Sequence, residues 1–490
     1  MTLLIIFKLI MKNPFLIFLL FIVILEIPNF SIKRSINTAK LDFERAKYFF
    51  QQQEFTKCIY YSNLSRLQDP RSPSPWILSG NCFYLQGHNE QARFNYSQAL
   101  KLNPSSKHMP PFLKDFMKDA LKPFIPFSAI SPQKLHQLQL EIGQMLMIIV
   151  PGTQLSQEKE KTLNNGWAGG IILFDQNIES KKQIKQYIQK IQSDSKIPLF
   201  IALDQEGGEV RRLRRAQGFQ YLPSLKALGK TNNLALAYTF GQLSGHQLKE
   251  IGANMNLAPV VDLNHHLPNC AINQWRRSLG SNPIQVAHMA EQIILGMKSE
   301  GILATAKHFP SESVASENPI KHIAVSSVSM DQLIHEDLYP YQFLIKRKLL
   351  DAIMISEVIY KNVDPYFPAA LSSRIIQNLL RKKLGFRGIT ISDDLQMNAI
   401  RKHYSLSAST IQAVNAGIDL LLITDNVEIQ MLNILTEAVL QGKISINTIK
   451  KADRHLLQMK LNYGIVSKQQ LKQHHLLHLL NQSLLKIHKN

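Results

Sequence analysis

An α/β chain forming a (β/α)8 TIM-type barrel, preceded by an all-α segment, is the fold this sequence predicts, on three observations. Short apolar, β-branched runs recur at Met145 to Val150, Gly170 to Phe174, Pro198 to Leu203, Met255 to Val261, Ile302 to Ala306, Ala352 to Ile355, Gly388 to Ser392 and Asp419 to Ile423. Helical patterns, such as Lys181 to Gln192, Leu234 to Glu250 and Pro283 to Glu300, lie between them. Several of the runs end in ionisable residues. Runs this short read as strands, and alternation with helices makes the sheet parallel. Eight strands within about 290 residues is the span of one barrel, with a doubly wound sheet as the alternative.

The strand ends carry the chemistry. Pro198 to Leu203 delivers Asp204, Glu206, the pair Gly207-Gly208, Arg211 and Arg212; Ile302 to Ala306 delivers Lys307 and His308; Ile389 to Ser392 delivers Asp393 and Asp394. Charge at the end of a buried strand must be paired or desolvated, which is costly unless it has a use. The C-terminal face of a parallel barrel is where such groups converge on a ligand.

Ahead of the barrel, Lys8 and Lys12 precede an apolar run from Phe15 to Leu25, so residues 1–30 read as a signal peptide or membrane anchor. Residues 38–121 read as a helical segment resembling tetratricopeptide repeats: Trp76, Gly80, Phe83, Ala92, Tyr96, Ala99 and Pro104 take that motif's offsets. Ala46, Phe49, Cys58, Ser62, Ser65 and Pro70 fill the same slots one repeat earlier. The small residues allow close helix approach while the aromatic ones fill the space around them. So short a repeat pair is expected to dock on a neighbour, such as a helix over Phe112 to Leu121 or a protein partner. A linker follows, then the barrel over 133–465 and a helical tail over 466–490, for which a solvated helix is the default and membrane-surface contact the alternative.

Composition bounds the rest. With 490 residues and 45% hydrophobic content the chain can bury a large core. The net charge of +20 suits anionic surfaces. Its basic residues are nevertheless scattered, with no finger, basic helix or aromatic RNA-binding signature, so nucleic acid is not expected as a partner. Cys58, Cys82 and Cys270 form an odd set without CxxC spacing, which supports neither a disulfide framework nor a structural zinc site.

From Leu138 to Tyr463 the chain resembles glycoside hydrolase family 3, and within it the bacterial β-N-acetylhexosaminidases. The resemblance rests on Ile142-Gly143-Gln144-Met145, Gly169-Gly170-Ile171-Ile172-Leu173-Phe174, Asp204-Gln205-Glu206-Gly207-Gly208, Asn256-Leu257-Ala258-Pro259-Val260-Val261-Asp262, Arg277-Ser278-Leu279-Gly280, Lys307-His308-Phe309-Pro310 and Ser392-Asp393-Asp394-Leu395-Gln396-Met397. It implies retaining hydrolysis of terminal β-linked N-acetylglucosamine in peptidoglycan-type glycans or muropeptides. Asp393 would be the nucleophile that forms a covalent glycosyl-enzyme. Asp204, Arg212, Arg277, Lys307 and His308 would line the sugar subsite, with Asp262 a weaker candidate. No metal or organic cofactor is implied.

The acid/base departs from the family pattern. Where the family follows K-H-F-P with G-H-G and then D-S-H, this chain reads Ser311-Glu312-Ser313 and Asn318-Pro319-Ile320. Isoleucine cannot move a proton, which leaves His322, Glu312, Glu317 or no acid/base at all. Glu209 and Glu357 also stand where the family has Arg and His. The alternatives are a catalytically impaired glycan-binding scaffold or a β-glucosidase-type hydrolase with a glutamate acid. The leader implies export to the cell envelope or periplasm.

Overall fold

The computed structural model describes residues 38–52, 54–85, 92, 95–96, 98–99, 102, 131–267, 270–315, 324–365, 367–401 and 403–481. The expected leader and the expected helix over Phe112 to Leu121 lie outside the described residues. No described helix is long and apolar enough to cross a membrane. The chain divides into two compact units, Met1–Phe124 and Ile125–Asn490.

Within the first unit, α1 (residues 38–51), α2 (Phe55–Gln68) and α3 (Ser74–Leu85) enclose a small core of Ala46, Cys58, Leu78 and Cys82, with Phe43, Phe49, Phe50 and Phe55 around it. Tyr96 is fully buried, and a Cβ added at Gly80 would sit 2.5 Å from its ring. A small residue at position 80 thus makes room for the ring. Cys58 and Cys82, 24 positions apart, bring their sulfurs to 2.6 Å, and both, like Cys270, are free cysteines.

The second unit is the barrel. Its strands are β1 (Leu146–Ile149), β2 (Gly170–Leu173), β3 (Phe200–Leu203), β4 (Met255–Asn256), β5 (Leu303–Phe309), β6 (Ala352–Ile355), β7 (Ile389–Ser392) and β8 (Leu421–Leu422). Every pair in the order β8-β1-β2-β3-β4-β5-β6-β7 is parallel. The ring closes through the parallel bridge Ile391↔Leu420, where the Ser392 N–H donates to the Leu420 carbonyl at 3.0 Å. All eight expected strands exist. β4 and β8 keep only two residues each, whereas β5 runs on through Lys307 and His308. Its pairing with β6 shifts register between Ala306 and Phe309, a local irregularity of the kind that re-aims side chains.

The strands are buried on both faces, as a parallel sheet covered by helices requires. The helices start where the sequence supplies caps: Ser180, Ser224, Asn233, Ser405 and Ser445 each accept a hydrogen bond from a backbone N–H of the first turn. The tail departs from its solvated default. Leu471, Leu476, Leu479 and Leu480 are buried with Leu140, Ile197 and Leu457 in a second apolar cluster, so residues up to 480 belong to the barrel's packing.

Candidate active site

The loop after β3 is shaped by its own residues. Gly207 and Gly208 adopt φ of 89° and 61°, and a Cβ on Gly207 would lie 2.3 Å from the Pro223 carbonyl oxygen, so only glycine fits the turn. Gln205 points inward as a brace. Its Oε1 accepts from the Arg212 and Leu213 N–H groups, both at 3.0 Å, and its Nε2 donates to Gln247 at 3.1 Å. This returns Arg212 to Asp204, where Nη2 donates to Oδ2 at 2.9 Å.

Asp204, Glu206, Arg277 and Lys307 form one buried network. Lys307 Nζ lies 2.7 Å from both Asp204 Oδ1 and Glu206 Oε1. Arg277 grips Glu206 in a two-pronged contact, Nε to Oε2 and Nη2 to Oε1 at 2.8 Å each. Such paired, charge-assisted bonds fix both partners in position. Burial alone would push both carboxyls upward, but the cations outweigh it. Lys307 and Arg212 hold Asp204 well below the carboxylate range, and Arg277 and Lys307 bring Glu206 down to about 2. Both are anions at neutral pH.

A second group adjoins the first. Asp262 Oδ2 accepts from His308 Nδ1 at 2.7 Å and from the His308 N–H at 3.2 Å, while Oδ1 accepts from the Glu312 N–H at 2.9 Å. With Nδ1 as donor in the neutral ring, Nε2 accepts from Arg277 Nη2 at 3.2 Å. Burial lowers the His308 imidazole's proton affinity, but Glu312 and Asp262 reverse this and raise it. The Glu312 carboxyl lies 3.6 Å from His308 Nδ1 and 3.9 Å from Arg277 Nη1.

The end of β7 completes the mouth. The Asp393 N–H donates to the Ile355 carbonyl at 3.0 Å, tying the residue to β6. Its carboxylate, that of Glu312 and a ring nitrogen of His308 lie within 4.8 Å of one another. Asp394 has a different duty. It accepts from the Gln396 N–H at 3.0 Å, the Thr424 N–H at 3.4 Å and the Thr424 hydroxyl, and burial lifts it to about 6. Among the described residues nothing hydrogen-bonds to either carboxyl oxygen of the buried Glu357. Burial, and then Asp393, Asp394 and Glu312, raise it well above the usual range.

Asp204, Arg212, Arg277, Lys307 and His308 therefore gather in one network, and Asp393 joins it through His308 and Glu312. His322 and Glu317 lie outside the described residues. Glu209 is exposed, unlike Glu357. Glu206, read from the sequence as a strand-end carboxylate, was not assigned to the sugar subsite, yet it sits at the centre of this network. Its signal was present, since two positions after Asp204 a strand-like chain returns to the same side. The set His308, Glu312 and Asp393, like His265, Glu336 and Asp337, offers one nitrogen and two carboxylates, a donor combination suited to a divalent cation.

A closed parallel barrel with a dense ion network at the strand C-termini defines the class: a barrel enzyme with a polar, deeply set site. The profile of the "Glycosyl hydrolase family 3 N terminal domain" matches residues 137–459. A beta-hexosaminidase of Haemophilus ducreyi is 34% identical over 299 residues, covering 60% of this chain and 85% of that protein. One from Nitrosomonas eutropha is 34% identical over 287 residues, covering 57% and 80%. Among solved structures, a glycoside hydrolase family 3 beta-N-acetylglucosaminidase from Paenibacillus sp. superposes with a TM-score of 0.64 at 30% identity, covering 70% of this chain and 68% of that one. The chain belongs to glycosyl hydrolase family 3 and is a glycoside hydrolase.

Proposed function

We propose that this protein releases terminal β-linked N-acetylglucosamine from peptidoglycan-type glycans with retention of configuration, through a covalent intermediate on Asp393. The observation that carries the reading is that the Asp393 carboxylate shares the barrel mouth with His308 and Glu312, next to the network of Asp204, Glu206, Arg277 and Lys307. Fixed anions and cations side by side suit a polyol, since the carboxylates accept from ring hydroxyls and the cations donate to hydroxyl or acetamido oxygens. The relatives named beta-hexosaminidase and beta-N-acetylglucosaminidase direct the choice of sugar. In this reading Asp204, Arg212, Arg277, Lys307 and His308 bind the sugar and Asp393 attacks its anomeric carbon. The expected leader would place the reaction in the cell envelope, and the helical unit would recruit a protein partner.

The test is hydrolysis of an aryl β-N-acetylglucosaminide, with the intermediate trapped by a fluorinated glycoside and located by mass spectrometry. Wild type should turn over and label on Asp393, whereas Asp393→Asn should lose activity by about 10⁴ to 10⁶-fold, the scale of losing a nucleophile elsewhere. A label on another residue would remove Asp393 from the role. A second reading, a glycan-binding protein without turnover, is favoured by Ile320 at the position where the family carries the D-S-H histidine. Sugar binding by a wild type that hydrolyses nothing would establish it.

A further inference from the structure

We propose that Glu312 is the general acid and base of the glycosidic cleavage that Asp393 initiates. The inference rests on the preceding reading of Asp393 as nucleophile. It supplies the proton donor that Ile320 cannot.

Three carboxyl groups besides Asp393 itself crowd its surroundings: Glu312, Glu357 and Asp394. Asp394 is committed to the loop, since Gln396 and Thr424 occupy its oxygens. Glu357 is 1% exposed and, among the described residues, has neither a hydrogen bond nor a cation to carry its charge after it gives up a proton. Glu312 differs from both. Its main chain is pinned by the hydrogen bond from its N–H to Asp262 at 2.9 Å, so the side chain starts from a fixed base. Its carboxyl faces His308 at 3.6 Å and Arg277 at 3.9 Å, distances too long for hydrogen bonds yet close enough for both to stabilise its anion.

Separation decides the reaction geometry. One carboxyl oxygen of Glu312 lies within 4.8 Å of one of Asp393, a proximity in keeping with the roughly 5 to 5.5 Å between the carboxyl groups of retaining glycosidases. An inverting pair stands about 6.5 to 9.5 Å apart to admit a water between them.

The proton balance follows. Burial raises the Glu312 carboxyl, His308 and Arg277 oppose the rise and Asp393 adds to it; the net shift is upward, the direction a proton donor needs. When Asp393 attacks the anomeric carbon, a carbon–oxygen ester bond forms and the glycosidic bond breaks. The electron pair of that bond stays on the departing oxygen, which takes the proton from Glu312 and leaves as an alcohol. Asp393, now an ester, has lost its charge and no longer repels an anion at Glu312. The Glu312 carboxylate then takes a proton from water, whose oxygen displaces Asp393 from the anomeric carbon and restores both groups. The charge lost from one carboxylate thus prepares the other for its second task.

The experiment compares wild type, Glu312→Ala and Asp393→Asn on two substrates. One is 2,4-dinitrophenyl β-N-acetylglucosaminide, whose leaving group needs no proton; the other is the 1,4-linked N-acetylglucosamine disaccharide, whose leaving group does. For Glu312→Ala, kcat/KM on the disaccharide should fall by about 10² to 10⁴-fold while the dinitrophenyl substrate loses less than about tenfold. Added azide should restore turnover and yield the β-glycosyl azide. Equal losses on both substrates, or none on either, would overturn the assignment to Glu312. Asp393→Asn should lose both, and melting temperatures separate these effects from unfolding. A wild type inert on both substrates would instead sink the hydrolase reading itself.

Discussion

Asp262 holds His308 twice, through the ring Nδ1 at 2.7 Å and the backbone N–H at 3.2 Å. The same carboxylate takes the Glu312 N–H at 2.9 Å, so one side chain sets the position of two neighbours in the site. Removing it leaves buried donors without an acceptor, a cost of about 1–3 kcal/mol for each.

Asp262→Asn should therefore lower the proton affinity of His308, because Asp262 is among the groups that raise it. Titrating the His308 ring by NMR checks this. A downward shift is expected, accompanied by reduced kcat/KM, while an unchanged titration would show that Glu312 alone supplies the rise.

Glu206→Ala would leave Arg277 and Lys307 facing one another with one anion fewer. Breaking a buried pair in this way costs about 3–5 kcal/mol, to be read from a denaturant midpoint. The pH dependence has a definite sign. Glu206 falls from 4.5 unfolded to about 2 folded, so its contribution is complete above about pH 4.5 and disappears as pH drops toward 2. Wild type should lose stability across that window more steeply than Glu206→Gln.

Lys460 is fully buried, donates to Gln144 Oε1 at 2.9 Å and is brought by burial from 10.5 to about 7. The unfolded chain keeps its proton up to about pH 10.5, so wild-type stability should rise between about pH 7 and that value. Lys460→Met should show the larger relative gain near pH 6 than near pH 9, since the cost of burying the charge is fully present only on the acid side. Equal midpoint differences at the two pH values would contradict this.

In the first unit, Gly80→Leu drives a side chain into the Tyr96 ring, which a Cβ alone would already approach to 2.5 Å. Overpacking of this kind costs about 1–3 kcal/mol. Hydrogen exchange should show lost protection in α2 and α3, with the barrel strands unchanged.

The barrel was legible in the sequence because a parallel sheet buries both faces. Its strands become continuous apolar runs such as Leu146 to Ile149, with ionisable residues just beyond, as at Asp204 and Asp393. β4 and β8 were overestimated because an apolar run reports burial and not pairing, and Leu257 to Val261 is buried without being strand. The Glu206 contact to Arg277 spans 71 positions, a distance no local pattern encodes. The tail followed the same logic. Its leucines recur at helical spacing, which marks an apolar face but names no partner, and the partner turned out to be Leu140, Ile197 and Leu457. Glu312 was visible only as a departure from a motif, and its closeness to Asp393 needed the closed ring.

Asp393 and Asp394 are consecutive, yet Thr424 and Gln396 hold the second while the carboxylate of the first, among the described residues, accepts one hydrogen bond, from the Asp394 N–H at 2.8 Å. The scaffold of that corner thereby hangs on Asp394 rather than on Asp393. If Asp393 is the nucleophile proposed above, it can change its bonding partner without loosening the strand that presents it.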